Sequence, residues 1–391
     1  MKRRDFVLKT GLVSTALMSS SSVLGGILTP KNAHNTISIG IIGTGNRGTG
    51  LTATINKIKN FNVTACCDVL PFRLANGLRN AADKAKGYVD YRKLLEDKSI
   101  DAVLVSTPFN THSKIAIDAL DAGKHVYCEK TMAKGYDDIQ NLVEKVNSSN
   151  LIFQTGHQYH SSRLYTHVVD LLKSGKIGKI SSFECQWNRN GNWRRSVPSP
   201  ELERAINWRM YNDYSGGLVA ELCSHQIDFA NWVLDSMPNR VMGIGGIDYW
   251  KDGRETYDNI HLIYEYPNGE KAKFTCLTNN SKDGYLIKVL GDKGAIILDY
   301  TKAWFYPEPN QTKKEMGMVD GVAGATVKWE KGLGIPIELP HTEPSQQALV
   351  DFKDSILNST KPISNITTGS KTSICVQMAL DAMQKRQIIE Y

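Results

Sequence analysis

The sequence predicts an α/β fold in two parts: an amino-terminal doubly wound parallel sheet, then an α+β domain built on a mostly antiparallel sheet. Continuous apolar runs of strand length alternate with helix-length segments between Thr36 and Thr155, as in a parallel sheet covered on both faces. Beyond Gly156 the apolar runs alternate in steps of two, separated by turns such as Pro267-Asn268-Gly269, which suits antiparallel strands. The 391 residues also exceed a usual single-domain length, so two domains are expected.

Taken in order, 37–42 reads as the first strand and 49–58 as the first helix. Strands follow at 62–67, 102–106, 125–128 and 151–155, with helices at 72–86, 111–122 and 136–148. In the second part, strands are predicted over 180–187, 241–248, 259–266, 271–277, 286–290 and 295–298. Segments 350–357 and 373–386 read as closing helices. The expected division is a leader over 1–35, the parallel-sheet domain over 36–155, the antiparallel-sheet domain over 156–345, and closing helices over 346–391.

Composition narrows the class. At 41% apolar and 22% charged the chain is a poor match to disorder, collagen-like repeats or a disulfide scaffold. Seven cysteines include no C-x-x-C pair, and Cys66, Cys67, Cys128, Cys185 and Cys276 fall in apolar strands, where a thiol acts as a small hydrophobe. The formal charge of +7 is partly terminal. Without the first 35 residues, 42 basic groups face 39 acidic ones, a net of +3, which gives no electrostatic argument for nucleic acid.

The terminal charge has its own reading. Lys2-Arg3-Arg4-Asp5-Phe6-Val7-Leu8-Lys9 precedes a moderately apolar stretch broken by Ser19–Ser22 and Gly25-Gly26, too polar for a stable membrane span. A charged start before a short apolar region is an export signal, and the paired arginines resemble the twin-arginine type that carries folded protein out. A periplasmic location is expected. Lys31-Asn32-Ala33 lacks the small residue expected two positions before Ala33, so an uncleaved amino-terminal anchor stays open.

Gly43-Thr44-Gly45-Asn46-Arg47-Gly48 follows the first strand and opens the first helix, and Asp68 ends the second strand 20 residues after Gly48. In that context G-x-G-x-x-G is the dinucleotide fingerprint of a Rossmann domain. Gly43 allows the tight turn, Gly45 lets backbone approach a pyrophosphate, and Gly48 lets helix pack on strand. The pyrophosphate is expected at the helix amino end beside Asn46 and Arg47. Asp68 suits the ribose hydroxyls and repels a 2′-phosphate, favouring NAD, while Arg47 and Arg73 leave NADP open.

Two further motifs, Thr107-Pro108-Phe109-Asn110-Thr111-His112 and Glu129-Lys130-Thr131, follow the fourth and fifth strands. Together with the glycine loop they resemble the T-P-x-x-x-H and E-K-P segments of the Gfo/Idh/MocA oxidoreductases, with Thr131 in place of the usual proline. Gly216-Gly217 through Glu221, His225 and Asp228 is similar to that family's G-G-x-x-x-D-x-x-x-H-x-x-D helix, with glutamate in place of aspartate at Glu221. The resemblance runs from about Ile37 to Tyr391. It implies an open sheet that serves as a homodimer or homotetramer interface, and cofactor contacts from Thr107, Pro108, Asn110, His112, Glu129 and Lys130.

The family's mechanism, carried onto these positions, makes His225 the base for a sugar hydroxyl and Lys130 the stabiliser of the developing alkoxide. Glu221 orients the histidine or shares its proton. On a regular helix Glu221, His225 and Asp228 fall at i, i+4 and i+7 on one face, and a neighbouring acid is expected to raise the His225 pKa. That helix lacks the partners of a metal site, so no metal is expected. His157 and Tyr159 lie where relatives line the substrate pocket. Trp193 and Arg194 offer stacking and hydrogen bonding to a sugar, Asp228 a supporting role, and Tyr257 a pocket edge. An exported enzyme without free NAD points to a tightly held cofactor and a redox-neutral cycle. The alternatives are an NAD-dependent glycosidase working by oxidation, elimination, hydration and reduction, and a cofactor-binding protein without catalysis.

Overall fold

The structure is a computed structural model that describes residues 36–308, 334–340 and 342–391; the segment read as an export signal lies outside the described residues. The first domain comprises β1 (Ile37–Ile42), α1 (Asn46–Ile55), β2 (Phe61–Cys67), α2 (Pro71–Asn80), β3 (Lys86–Tyr88), α3 (Tyr91–Glu96), β4 (Ala102–Val105), α4 (His112–Asp121), β5 (His125–Cys128), α5 (Tyr136–Asn147) and β6 (Phe153–Thr155). Its sheet runs β3-β2-β1-β4-β5-β6 with every neighbour parallel. The order reverses between β1 and β4, and the crevice at the strands' carboxyl ends there is where an open α/β sheet takes a ligand. The β3 strand is a departure from expectation. Lys86-Gly87-Tyr88 has no apolar run to announce it, and the helix expected to reach residue 86 stops at Asn80.

The second domain adds α6 (Arg163–Lys173), β7 (Ile180–Trp187), a short α7 (Glu203–Ile206), a π-helical turn (Val219–Cys223) leading into α8 (Ser224–Leu234), and β8 (Arg240–Gly246). It continues with β9 (Asn259–Glu265), β10 (Lys271–Leu277), β11 (Tyr285–Gly291), β12 (Gly294–Leu298), β13 (Ala303–Pro307) and β14 (Ile335–Ile337). Then come α9 (Pro344–Asn358), α10 (Ile366–Lys385) and β15 (Ile389–Glu390). The sheet order is β14-β13-β12-β11-β7-β10-β9-β8-β15, and the β7–β10 contact alone among the described pairs is parallel. One face is dry: Phe183, Leu262, Tyr264, Phe274, Ile287 and Val289 are fully buried.

The two closing helices do different jobs. Ala348, Leu349 and Phe352 of α9 join the core of the first domain with Ile39, Ile41, Phe61 and Tyr127, so the chain returns to its starting domain. In contrast, α10 packs on α8 and β8 and also on α5 and β6, which ties the domains together. All seven cysteines are buried and free, as the apolar context of five of them indicated.

Close packing makes one glycine indispensable. A Cβ on Gly48 would sit 1.9 Å from the Gly43 carbonyl oxygen, inside backbone that cannot yield. Gly48→Ala is expected to cost about 3 kcal/mol, an overpacking penalty at the high end, read as a lower urea midpoint of the apo protein. An unchanged midpoint would show that the α1–β1 approach is looser than described.

Candidate active site

A cleft of about 1030 Å³ opens between the carboxyl ends of the parallel strands and one end of the second domain. Gly43, Gly45, Asn46, Arg47, Asp68 and Arg73 line one part; Thr107, Pro108, His112, Glu129 and Lys130 line the middle; Glu221 and His225 close it from the second domain.

The glycine loop fits a dinucleotide. Gly43 takes φ +91°, open only to glycine at low cost, and its N–H donates to the Cys67 carbonyl at 2.8 Å. Gly45 caps α1 with no side chain, and no acidic residue occupies the first turn, so the helix amino end presents unneutralised N–H groups to the cleft. Asp68 is buried at the loop: its Oδ2 accepts from Thr44 N at 2.9 Å and its Oδ1 from Leu70 N at 2.9 Å. Each oxygen keeps a lone pair for a ribose hydroxyl. Arg47 Nε donates to Glu129 Oε1 at 2.6 Å, so these two expected cofactor residues neutralise each other across the cleft floor.

At the middle, His112 joins the two family loops. Its Nδ1 lies 2.9 Å from the Thr131 carbonyl and its Nε2 2.9 Å from the Thr107 carbonyl. Burial lowers its pKa against these two acceptors, so the ring is neutral and donates to one carbonyl at a time. The Lys130–Thr131 peptide is cis, and Thr131 Oγ1 also reaches the Ala220 carbonyl at 3.5 Å. Hydrogen bonds on both sides thus fix the segment where proline was expected.

Lys130 is fixed from the other domain. Its Nζ donates to the Glu221 carbonyl at 2.8 Å and the Ala220 carbonyl at 3.2 Å. Those carbonyls are available because 219–223 winds as a π-helix, whose wider turn displaces backbone groups from the regular ladder. Burial lowers the Lys130 pKa, with Glu221 and Glu129 opposing and Arg209 and Arg47 adding to the lowering.

The π turn also corrects the expected triad. Glu221 does not orient His225; its Oε2 accepts from Arg209 Nε at 2.7 Å. Burial raises the Glu221 pKa, but Arg209 and Lys130 outweigh it and hold the carboxyl ionised. The one-face argument assumed a regular helical period, which the π turn breaks. The expected rise in the His225 pKa is likewise reversed. Burial pushes it well down, and the charges of Lys130, His157 and Arg47 push it further. Its Nδ1 is buried with no hydrogen-bond partner among the described residues.

Several expected substrate residues sit behind the cleft. His157 packs edge-on against His225 with ring centres 5.8 Å apart, and Tyr159 does so at 5.2 Å while stacking on Tyr165. Both are buried and back the His225 ring. Asp228 is buried away from the cleft, its Oδ2 2.8 Å from His160 Nε2 and its Oδ1 accepting from Thr372 Oγ1 at 2.9 Å. It fixes α8 against α10. Tyr257 packs against Gly245 in the second sheet, outside the cleft. Asn110 likewise stays off the cleft wall; its N–H donates to the Tyr214 carbonyl at 3.2 Å. Trp193 and Arg194 do line the cleft, but Arg194 is spent on Glu203 and Asp252.

Other lining residues were not singled out from sequence: Arg189, Arg209 and Tyr214. The usable signal was the density of tryptophan and arginine between 187 and 209. Among the described residues, no group of three His, Cys, Asp or Glu side chains is placed to hold a metal ion, and no helix is long and apolar enough to cross a membrane.

A glycine-loop parallel-sheet domain whose cleft is closed by an antiparallel-sheet domain defines a nicotinamide-dinucleotide oxidoreductase. Residues 37–157 match the oxidoreductase family model described as an NAD-binding Rossmann fold, and residues 165–297 match that of the GFO/IDH/MocA C-terminal domain. The chain belongs to the Gfo/Idh/MocA family. It is 27% identical to myo-inositol 2-dehydrogenase of Thermotoga maritima, over 67% of this chain and 75% of the relative. It is also 27% identical to 2,7-anhydro-N-acetylneuraminate hydratase of Escherichia coli, over 67% and 68% of the respective chains. Aldose-aldose oxidoreductase from Caulobacter crescentus shares the fold, with a TM-score of 0.73 at 18% identity over 91% of this chain and all of that one (100%).

Proposed function

We propose that the protein exchanges hydride between a tightly bound NAD and a carbon bearing a hydroxyl in a sugar or sugar derivative. The observation that carries this is the convergence of Lys130 and His225, from separate domains, on one cleft that a glycine loop also lines. Gly43, Gly45, Asn46 and Asp68 would hold the dinucleotide, which when bound would supply the hydride acceptor for that carbon. Neutral His225 takes the hydroxyl proton, since burial keeps its ring unprotonated and ready as a base. The Lys130 ammonium donates to the same oxygen as negative charge grows on it, an interaction stronger in the transition state than before it. Glu221 with Arg209 and the Ala220 carbonyl hold Lys130 and the π turn in place. The test is mass spectrometry of the denatured protein, purified as exported, followed by single-turnover assays on a panel of sugars. Co-purified NAD with formation of a keto-sugar supports the reading; protein free of dinucleotide that also fails to bind added NAD overturns it.

A second reading has its own observation. Among the described residues, the three carboxylates that line the cleft are all engaged: Asp68 by backbone N–H groups, Glu129 by Arg47, and Glu221 by Arg209. None is free to act as the acid of an ordinary glycosidase pair. Cleavage of a glycoside would therefore proceed by oxidising a ring hydroxyl, losing the adjacent proton and the glycosidic substituent, adding water, and returning the hydride. Such a cycle is redox-neutral and suits export through a twin-arginine signal with the cofactor already inside. It predicts glycoside cleavage without net NADH and with deuterium lost beside the oxidised carbon. Keto-sugar formation with no cleavage of any glycoside rejects it.

Assembly through the outer face of the second sheet completes the proposal. Met242 pairs across strands with Ile263 and sits next to Ile244, which is 77% exposed. Three such side chains on one face of β8–β9 suit a subunit contact. Ile244→Lys is expected to shift a dimer or tetramer toward monomer in light scattering, with activity per active site retained. An unchanged mass would place the contact elsewhere.

A further inference from the structure

Beside the cleft lies a side cavity of about 750 Å³ that holds neither Lys130 nor His225. Gly45 and Asn46, at the amino end of α1, line both spaces, and so do Arg73 and Arg195. Arg73 comes from α2 of the first domain and Arg195 from the loop after β7 in the second. Neither guanidinium has a hydrogen bond or an ion pair among the described residues. Burial lowers the Arg73 pKa, Asp68 opposes, and the nearby cations of Arg195 and Arg209 lower it further. Arg209 is already paired with Glu221. Arg73 is half-buried and Arg195 is exposed beside it, and two like charges brought close together without an anion repel each other unless a ligand supplies one.

The loop that carries Arg195 is built to hold it there. Buried Asn207 clamps its backbone in both directions: Arg195 N donates to Asn207 Oδ1 at 2.8 Å, and Asn207 Nδ2 donates to the Arg195 carbonyl at 2.9 Å. Arg194 is anchored by Glu203 and Asp252, and Arg254 donates to the Asn192 carbonyl at 3.1 Å. Between them Trp193 takes φ +66°, a left-handed conformation that a bulky residue adopts only when its surroundings over-determine it. The neighbouring arginines are consumed in fixing the loop, while Arg195 is left free at its tip.

We propose that Arg195 and Arg73 grip the pyrophosphate of the dinucleotide from opposite domains, a clasp that keeps the cofactor in place through turnover. The proposal rests on the cofactor reading above and supplies the cause of its tight binding. The position beside Gly45 and Asn46 selects the pyrophosphate over a substrate anion, which would have to reach Lys130 and His225. Asp68, buried at the ribose position, selects it over a 2′-phosphate.

The test is the release rate of NADH, followed by fluorescence after mixing the loaded protein with excess NAD. Arginine–phosphate hydrogen bonds are charge-assisted, so Arg195→Ala is expected to speed release by about ten- to a hundredfold, with Arg195→Lys intermediate. ADP-ribose is expected to lose affinity by a similar factor and adenosine to lose none. The apo unfolding temperature stays unchanged, because the side chain gives up no partner in the protein. An unaltered release rate overturns the clasp, as does an equal loss for adenosine or a larger loss for NADP than for NAD. Wild-type protein that binds no NADH at all defeats the cofactor reading itself, and the clasp with it.

Discussion

Replacing Lys130 with methionine is expected to lower kcat/KM by about a thousandfold while NAD remains bound. Methionine keeps most of the apolar stem and removes the ammonium. A single donor aimed at a developing oxyanion in a dry site is worth about a hundred- to a thousandfold in rate, and Lys130 is the cation that the π-helical carbonyls of Ala220 and Glu221 hold at the cleft. The variant also leaves the Glu221 carbonyl short of a donor, which costs about 1–2 kcal/mol of stability. Ala220 keeps its bond from Ser224 Oγ at 2.7 Å, so the fold survives. Rate and stability are measured separately, by single-turnover hydride transfer and by urea unfolding. Full activity in a folded Lys130→Met protein would remove the lysine from the mechanism.

His225→Ala is expected to reduce kcat/KM by about a hundred- to ten-thousandfold, the usual range for a positioned general base. The pH profile separates this role from simple packing. A base must be deprotonated, and burial holds the His225 pKa well below the ordinary 6.5. Activity therefore stays on its plateau through pH 6.5 and falls only at more acidic values. On the other side Lys130 must stay protonated, and burial lowers its pKa from 10.5, so the alkaline fall begins below that value. Loss of the acid limb in His225→Ala, with the alkaline limb retained, identifies the histidine. A wild-type profile that drops between pH 7 and 6 would contradict a buried neutral imidazole.

Much of this was legible in the sequence, and the failures have physical causes. The parallel sheet was readable because largely apolar segments such as those of β1 and β4 alternate with helix-length ones; Lys86-Gly87-Tyr88 is a polar edge strand with no such signal. The glycine loop and Asp68 were singled out by their spacing from the first two strands, and Lys130 and His225 by the resemblance of their motifs to those of the family. Glu221 was misassigned in its partner because spacing on a regular helix says nothing about a π turn. Asp228, His157 and Tyr159 lie near His225 in sequence or space but face α10 and the aromatic packing behind it. Arg195 could be noticed as a residue but not as a free cation. That needs Asn207, Glu203 and Asp252 in three dimensions.

The central claim is that one bound dinucleotide meets a lysine and a histidine from opposite halves of the chain. A crystal structure with NADH and a substrate sugar tests it most directly. Lys130 Nζ and a His225 ring nitrogen are predicted to share a single hydroxyl oxygen at hydrogen-bond distance, with that carbon about 3–3.5 Å from the nicotinamide carbon that carries the hydride. A dinucleotide lying outside the cleft, or the two side chains directed at different substrate atoms, would contradict it.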